Sequence, residues 1–174
     1  MEHTGGRRLQ LTLRLLTCAL LLLSLMVLSP HQAANASYLE KIDYTLTNQS
    51  DGDFHGQDLE GSSFAGAVAR NANFSGAKLH GAIFTQGAFA GADFSGADLS
   101  DALMDRADFV GTNLENANLS GVIASGSSFA DAQISGADFS DALLDREDFS
   151  KLCRRAKGSN PISGISTKAS LGCP

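Results

Sequence analysis

The feature that most constrains this chain is a five-residue period that runs from Phe54 to Phe149. Every fifth residue in this stretch is mostly Phe or Leu, and all ten Phe residues of the chain fall in this register. Ala stands two residues before the central residue in twelve pentads, and Gly, Asn or Asp stands two residues after it in sixteen of twenty. No insertion or deletion interrupts the pattern. So regular a period indicates a repeated structural unit.

A period of five fits neither of the regular secondary structures. On an α-helix, five residues advance the chain by about 500°, so the large apolar residue would never form one face. On a flat strand, an odd period sends alternate repeats to opposite faces. The chain is therefore expected to turn once per pentad, with Gly, Asn or Asp at the turn because these residues tolerate left-handed backbone angles. The pattern predicts a solenoid in which each coil buries its apolar residues against the next.

The run Phe94–Ser100, with the sequence FSGADLS, resembles the pentapeptide-repeat family. Four pentads form one square coil in that family, so the resemblance implies an all-β solenoid, a right-handed quadrilateral β-helix of about five coils. At about 4.8 Å per coil, the stack would be roughly 24 Å tall. A near-copy of Ser95–Arg106 recurs at Ser135–Arg146, displaced by 40 residues, which equals two whole coils.

The pattern divides the chain into four parts. Residues 1–36 are predicted to be a signal peptide, 37–51 an N-terminal cap segment, 52–150 the β-helix and 151–174 a disulfide-bonded C-terminal cap. An N-terminal cap is expected because the first coil of a solenoid exposes both its apolar core and its strand edge. The candidates to cover that open end are Tyr38, Leu39, Ile42, Tyr44 and Leu46.

The leader has the three parts of a secretory signal peptide. A basic start with Arg7 and Arg8 precedes the apolar run Leu15–Leu28, and a small-x-small ending follows at Ala36. The run of about fourteen residues is shorter than the roughly 20 needed to span a bilayer. We therefore expect cleavage after Ala36 and no membrane attachment afterwards. The general secretory route is favoured, and the Arg7-Arg8 pair leaves twin-arginine export as the alternative.

Charge is distributed unevenly along the chain. The residues after the leader carry 18 acidic and 10 basic side chains, a net charge of −8. All 18 acids lie before residue 151, whereas five of the bases lie after residue 150. Two interpretations remain open: a basic tail that folds against an acidic barrel end, or two oppositely charged docking surfaces. The five tail bases are Lys151, Arg154, Arg155, Lys157 and Lys168.

Four aliphatic residues stand at an outward position, directly before the centre of their pentads. With four pentads per coil they share one face of the solenoid, together with Ser63. An exposed aliphatic stripe on a polar barrel is a candidate contact site for a partner or a second copy. The alternative is that an N- or C-terminal segment covers it. We call this set the aliphatic stripe: Ile83, Leu103, Ile123 and Leu143.

After the repeats the spacing changes. Apolar residues between Leu144 and Ala156 fall at helical spacing, and Gly158 is typical of a helix end. The sequence therefore predicts a short α-helical cap whose bases face the acidic barrel end. Cys153 and Cys173 are the two cysteines after the leader, and an even pair in an exported chain favours a structural disulfide. Closing a loop of about 20 residues would stabilise the fold by roughly 3 kcal/mol.

Residues with catalytic potential are few and scattered. His55 and His80 lie 25 residues apart, outside any metal-ligand spacing. Asp58, Asp98 and Asp138 stack along one face, as repeats produce without any acid–base purpose. The chain has no phosphate loop, nucleophile elbow or zinc motif. With no Trp and two Tyr, it also lacks stacking platforms for nucleic acid. We therefore predict a non-enzymatic protein without cofactor, metal ligands or bound nucleic acid.

The C-terminal tail carries a second, narrower resemblance. Leu152-Cys153, Asn160-Pro161 and Ser170–Cys173 are similar to the ending of lumenal pentapeptide-repeat proteins of photosynthetic organisms. This resemblance implies a thylakoid lumen or, in a cyanobacterium, alternatively the periplasm.

Three function classes follow from these observations. The first is an exported protein-binding or structural module, whose partner the sequence does not identify. The second is an acidic DNA mimic that occupies a DNA-handling enzyme such as gyrase, as some cytoplasmic family members do. It requires a cytoplasmic location. The third is a thiol-disulfide redox protein using Cys153 and Cys173, although no Cys-x-x-Cys motif is present. The first is favoured.

Overall fold

The computed structural model describes residues 41–174, and parallel β-bridges between residues twenty positions apart organise it. The first of these bridges joins Asp43 to Ser63 and the last joins Ile123 to Leu143, in five steps of one coil each. Each pentad contributes a single bridge residue, so residues 41–174 contain isolated bridges rather than longer strands. Four pentads therefore complete one coil.

The bridges define four faces of a quadrilateral β-helix. Face 1 begins at Asp43, face 2 at Asn48, face 3 at Asp53 and face 4 at Asp58, and each continues at every twentieth residue. Backbone hydrogen bonds between coils follow the same step, as in the 2.7 Å bond from Phe94 N–H to the carbonyl of Asn113. Adjacent coils are thus joined along all four faces.

Corners between faces fall at the position where the sequence places Gly, Asn or Asp. Every fifth residue from Leu46 to Asp141 has a positive φ, which confirms the turn role predicted for this position. Three corners carry other residues in the same conformation: Leu46 at 58°, Gln86 at 61° and Arg106 at 55°. The repeat imposes the left-handed angle even where the side chain disfavours it.

The core is a column of central residues, closed in most pentads by a buried Ala two residues before the centre. Phe54, Phe74 and Phe94 stack along one side of the column with ring centroids 4.7 Å apart. Phe64 and Phe84 stack in the same way at 5.5 Å and meet the first ladder edge-on. Close packing of this kind leaves little freedom for a side chain to move.

The N-terminal boundary differs from the one predicted at residue 52. Asp43 and Asn48 already form bridges, so the first coil includes most of the segment assigned to a cap, 37–51. Tyr44 is its first core residue and stacks on Phe64 at 4.7 Å. Ile42 and Leu46 are exposed instead of plugging the end. Tyr38 and Leu39 lie outside the described residues, as do the signal peptide 1–36 and its cleavage site.

The C-terminal boundary also differs. The last bridge residue is Leu143, and helix α1 (Arg146–Arg155) follows directly, so the coils end before residue 150. Phe149, counted as a repeat centre in the sequence, belongs to this helix because the chain leaves the solenoid one pentad earlier. A four-residue helix α2 (Thr167–Ser170) completes the tail. No helix within 41–174 is long and apolar enough to cross a membrane.

Candidate binding face and C-terminal cap

The aliphatic stripe lies on face 1 as one continuous column. Successive bridges join Ile83 to Leu103, Leu103 to Ile123 and Ile123 to Leu143. Leu103 and Ile123 keep 37% and 36% of their surface exposed, and Leu143 keeps 58%, whereas Ile83 is half-buried. The stripe is therefore a contiguous apolar surface, most exposed at Leu143 at its C-terminal end.

Two other strongly exposed apolar residues lie outside this column: Leu46, which the sequence proposed as a plug for the N-terminal end, and Ile162, which the sequence reasoning missed. Leu46 is 81% exposed at a corner, and Ile162 is 85% exposed in the tail. Its position at a corner could have identified Leu46 as exposed, because the other corners of the repeat carry polar or small residues. Neither residue has an apolar bridge partner, so the stripe differs from them by its continuity.

The ladder of carboxylates predicted on face 4 is interrupted. Lys78 lies between Asp58 and Asp98 and pairs with Asp58 at 3.2 Å. Asn118 lies between Asp98 and Asp138 and donates to Asp98 at 3.0 Å. No two of these carboxylates are neighbours on the face, so they do not form a catalytic acid–base pair.

The two histidines take part in coil-to-coil hydrogen bonds. Nδ1 of His55 lies 2.9 Å from the Ser75 hydroxyl, and Nδ1 of His80 lies 3.0 Å from the Ser100 hydroxyl. Both rings are exposed. Within residues 41–174, no group of three or more His, Cys, Asp or Glu side chains is placed to hold a metal ion.

The tail is tied to itself by a disulfide between Cys153 at the end of α1 and Cys173 beyond α2. Leu152, the residue before Cys153, is fully buried against the core, and Leu171, two residues before Cys173, is nearly so. The disulfide therefore joins two short segments that each place one leucine on the end of the column.

Asn160 anchors the middle of the tail to the barrel. Its buried side-chain amide donates to the carbonyls of Asn116, Ala117 and Gly136 at 3.0–3.2 Å. Its Oδ1 accepts from the backbone N–H of Ile162 at 2.9 Å. One side chain thus hydrogen-bonds to carbonyls of the last two coils and stabilises the turn that follows. These contacts explain why an Asn-Pro turn stands at this point.

The carboxylate of Asp138, on face 4, accepts a hydrogen bond from the tail. Burial alone would raise the pKa of its carboxyl group, but hydrogen bonds from the hydroxyls of Ser140 and Ser163, each 2.6 Å, outweigh it and lower the pKa below its ordinary value. Because Ser163 belongs to the tail, the charged form of Asp138 favours the docked tail.

The tail bases do not pair with the acidic barrel end as the sequence predicted. Within the described part of the chain, Lys151 pairs with Glu147 of its own helix at 2.7 Å, and the other four bases have no carboxylate within 4.0 Å. Arg155 donates instead to the backbone carbonyl of Phe129 at 3.0 Å. This carbonyl also accepts from the Ala132 N–H at 3.2 Å, so a main-chain group that already has one donor takes the place of the expected acid.

Comparison with known proteins defines the class to which this solenoid belongs. The family model for pentapeptide repeats matches residues 53–86, 88–121 and 107–146 in eight copies. A pentapeptide repeat protein from the thylakoid lumen of Arabidopsis thaliana, known from its crystal structure, is 41% identical. That match covers 74% of this chain and 89% of the other, with a TM-score of 0.72. The chain therefore belongs to the pentapeptide-repeat family, and its fold is the right-handed quadrilateral β-helix.

Two further structures match with lower identity and lower structural similarity. A pentapeptide repeat protein from Nostoc PCC 7120 is 20% identical over 71% of this chain and 91% of that chain, with a TM-score of 0.41. QnrB1, a plasmid-mediated fluoroquinolone resistance protein, is 18% identical over 62% of this chain and 64% of that chain, with a TM-score of 0.36. Neither likeness carries an argument about function. No curated protein sequence matches the chain.

Proposed function

We propose that this protein is a non-enzymatic binding module that is exported to the thylakoid lumen or periplasm and contacts a protein partner through face 1. The observation that carries the proposal is the aliphatic stripe, an unbroken apolar column on an otherwise polar barrel. Apolar side chains held at regular spacing on a rigid surface suit recognition of another protein, and left bare they are a solubility liability.

The polar groups on the other faces have partners within the barrel, which supports a binding role over a catalytic one. The His55 and His80 rings contact serine hydroxyls. Lys78 and Asn118 donate hydrogen bonds to two of the carboxylates on face 4. The rings in these two Ser–His contacts are exposed, and each contact joins one coil to the next.

Export is proposed from the leader sequence, and the thylakoid lumen from the relative that is 41% identical. Mass spectrometry of the natural protein tests export directly. A mature N-terminus at Ser37 is expected. An intact Met1 species in the cytoplasm would overturn the proposed compartment and return attention to the DNA-mimic alternative.

The binding face is tested by replacing Leu103 and Ile123 with Asp. Both side chains are outward and partly exposed, so the fold should persist while partner binding is lost. Val68→Asp with Ser128→Asp adds the same charge at bridge positions of face 2 and serves as the matched control. If the face 1 variant keeps every partner and the oligomeric state of the wild type, the stripe is not the binding site.

A further inference from the structure

Two rungs of the aliphatic stripe carry the same acidic motif, Asp-Ala-Leu-x-Asp. In each copy an exposed leucine has one aspartate two residues before it and another two residues after it. The copies are 40 residues apart and therefore lie two coils apart on face 1. We call the four acids the flanking aspartates: Asp101 and Asp105 around Leu103, and Asp141 and Asp145 around Leu143.

The fold holds these carboxylates at the two edges of face 1. The first aspartate of each motif is an exposed corner residue with positive φ, where the chain enters the face. The second lies where the chain leaves the face and is fixed by the main chain of a neighbouring coil. Oδ1 of Asp105 accepts from the Ser125 N–H at 3.1 Å, and Oδ2 of Asp145 accepts from the Gly126 N–H at 2.7 Å. The other oxygen of each makes no hydrogen bond within residues 41–174.

Little positive charge lies close to the flanking aspartates. Within the described residues, none of them has a Lys or Arg nitrogen within 4.0 Å, and Asp101 has the His80 ring at 3.8 Å. Arg106 follows Asp105 in the chain, but its side chain lies over Gly126 at the corner that leads to face 2. The two edges of the stripe therefore present carboxylates that the barrel itself does not pair with Lys or Arg.

The spacing of the rungs favours one shape of partner. Coils stack at about 4.8 Å, so the three steps from Ile83 to Leu143 span about 14 Å. One face of an α-helix recurs about every 5.4 Å, or about 16 Å over three turns. Residues on one side of an extended strand recur about every 6.7 Å, or about 20 Å over three steps. A helix that lies along the barrel axis therefore keeps its apolar side chains close to the rungs, whereas a strand does not.

A second copy of this chain is a poorer match to the stripe. Both edges of face 1 are acidic, so two such faces packed together would bring carboxylates close to carboxylates. Juxtaposed like charges oppose association. The net charge of −8 on the residues after the leader adds to this repulsion.

We infer that the partner presents a basic amphipathic α-helix, which lies along the barrel axis on face 1. Its apolar residues, at positions i, i+4, i+7 and i+11, pack on the rungs of the stripe. Lys or Arg residues on both sides of that apolar seam pair with the flanking aspartates. This assignment rests on the proposed function, because it names the kind of partner that the same face binds.

The test uses the natural disulfide-bonded protein and a fluorescent peptide of about 18 residues, with Leu along one helical face and Lys on both borders of that face. Fluorescence anisotropy should show binding that weakens as salt rises, and circular dichroism should show a gain of helix on binding. Two control peptides should bind at least about fivefold more weakly. One carries Glu in place of Lys, and the other has the same composition with Leu and Lys alternating.

Variants that remove charge from the edge of face 1 test the pairing. Asp101→Asn with Asp141→Asn removes two charges, and Asn suits a corner of positive φ, as Asn71 shows. This pair should weaken binding of the Lys peptide by about fivefold at low salt and by less than about twofold at high salt. Asp51→Asn with Asp131→Asn makes the same change at corners between faces 2 and 3. This matched control should change the affinity by less than about twofold.

A neutral change in the stripe tests the apolar seam. Leu103→Asn with Ile123→Asn leaves the charge of face 1 unaltered and should weaken the Lys peptide by at least about tenfold. The natural partner separates this inference from the proposed function. If Leu103→Asp with Ile123→Asp loses that partner while Asp101→Asn with Asp141→Asn keeps it undiminished at low salt, face 1 is the binding site but its partner is not a basic helix.

Four results would overturn the assignment of a basic helix. The first is no binding of the Lys peptide at about 1 mM. The second is equal binding of the peptide in which Leu and Lys alternate. The third is an unchanged affinity in Asp101→Asn with Asp141→Asn at low salt. The fourth is a dimer of the natural protein that Leu103→Asn with Ile123→Asn dissociates, because a second copy would then occupy the face.

Discussion

The coils and the tail of this protein are stabilised in opposite ways. In the coils, each contact recurs every five or twenty residues, so Phe94 packs much as Phe74 does one coil earlier. In the tail, each contact occurs once: the Cys153–Cys173 disulfide, the Asn160 amide and the Asp138 carboxylate. The stability of the coils is therefore a sum of many similar contacts, whereas the stability of the cap depends on a few individual side chains.

The largest effect is expected from a void in the coils. Phe94 is fully buried in the middle of the ring ladder, so Phe94→Ala should lower the free energy of unfolding by about 3–5 kcal/mol. Chemical denaturation measures it, with Ser95→Ala on the outer surface as the control. A loss of under about 1 kcal/mol would show that the coils close over the void and are less tightly packed than described.

Removing the disulfide separates the stability of the tail from that of the coils, because its loss should affect only the tail. Replacing Cys153 and Cys173 with Ser should cost roughly 3 kcal/mol, the value for a loop of about 20 residues. Amide exchange should quicken at Gly136 and Phe139, whose N–H groups are held by Lys157 and Ser170, and stay slow at Phe74. If both thiols of the natural protein react with an alkylating agent without reductant, the disulfide is absent.

Corner residues test how strictly the repeat imposes its backbone. Gly76 has φ 64° and open space around an added Cβ, so Gly76→Ala should cost about 1–2 kcal/mol from backbone strain alone. Gln86 already bears that strain, and Gln86→Gly should stabilise by about 0.5–1 kcal/mol after the entropy of glycine is counted. Thermal unfolding of the two variants should therefore shift in opposite directions.

The smallest effect concerns the Asp138 carboxyl group and pH. Its pKa is lowered in the folded chain, so it stabilises the docked tail above the ordinary value of 3.8 and loses that contribution as pH falls through the folded pKa. Amide exchange at Ile162 and Ser163 should thus quicken below pH 3.8, after correction for intrinsic rates. Asp138→Asn should remove this pH dependence, and an unchanged profile would assign it to another group.

What could be predicted from the sequence follows the same division. The five-residue period of Phe94 and its neighbours predicted the solenoid and the left-handed corners, because each rests on many copies of one pattern. The coil of four pentads that the family resemblance implies predicted the shared face of the aliphatic stripe. The sequence did not predict that Asp43 and Asn48 already bridge, since polar residues obscure the register of the first coil. Phe149 fitted both the five-residue period and the helical spacing in the sequence, and the structure places it in the helix.

Tail contacts were less accessible to sequence reasoning. Counting charges suggested that the tail bases meet barrel acids, but Arg155 binds the Phe129 carbonyl instead. That carbonyl also accepts from the Ala132 N–H, and no sequence pattern records that a tail arginine adds a second hydrogen bond to it.

The central claim is that face 1 contacts a protein partner, and site-specific photocrosslinking in the native compartment tests it most directly. A photoreactive amino acid is placed at Leu103 on face 1 or, as the control, at Asn113, a bridge residue on face 3. One discrete adduct is expected from position 103, absent from position 113 and abolished when Ile123→Asp is added. Adducts of the same kind from both positions, or an adduct at 103 that survives Ile123→Asp, would contradict it.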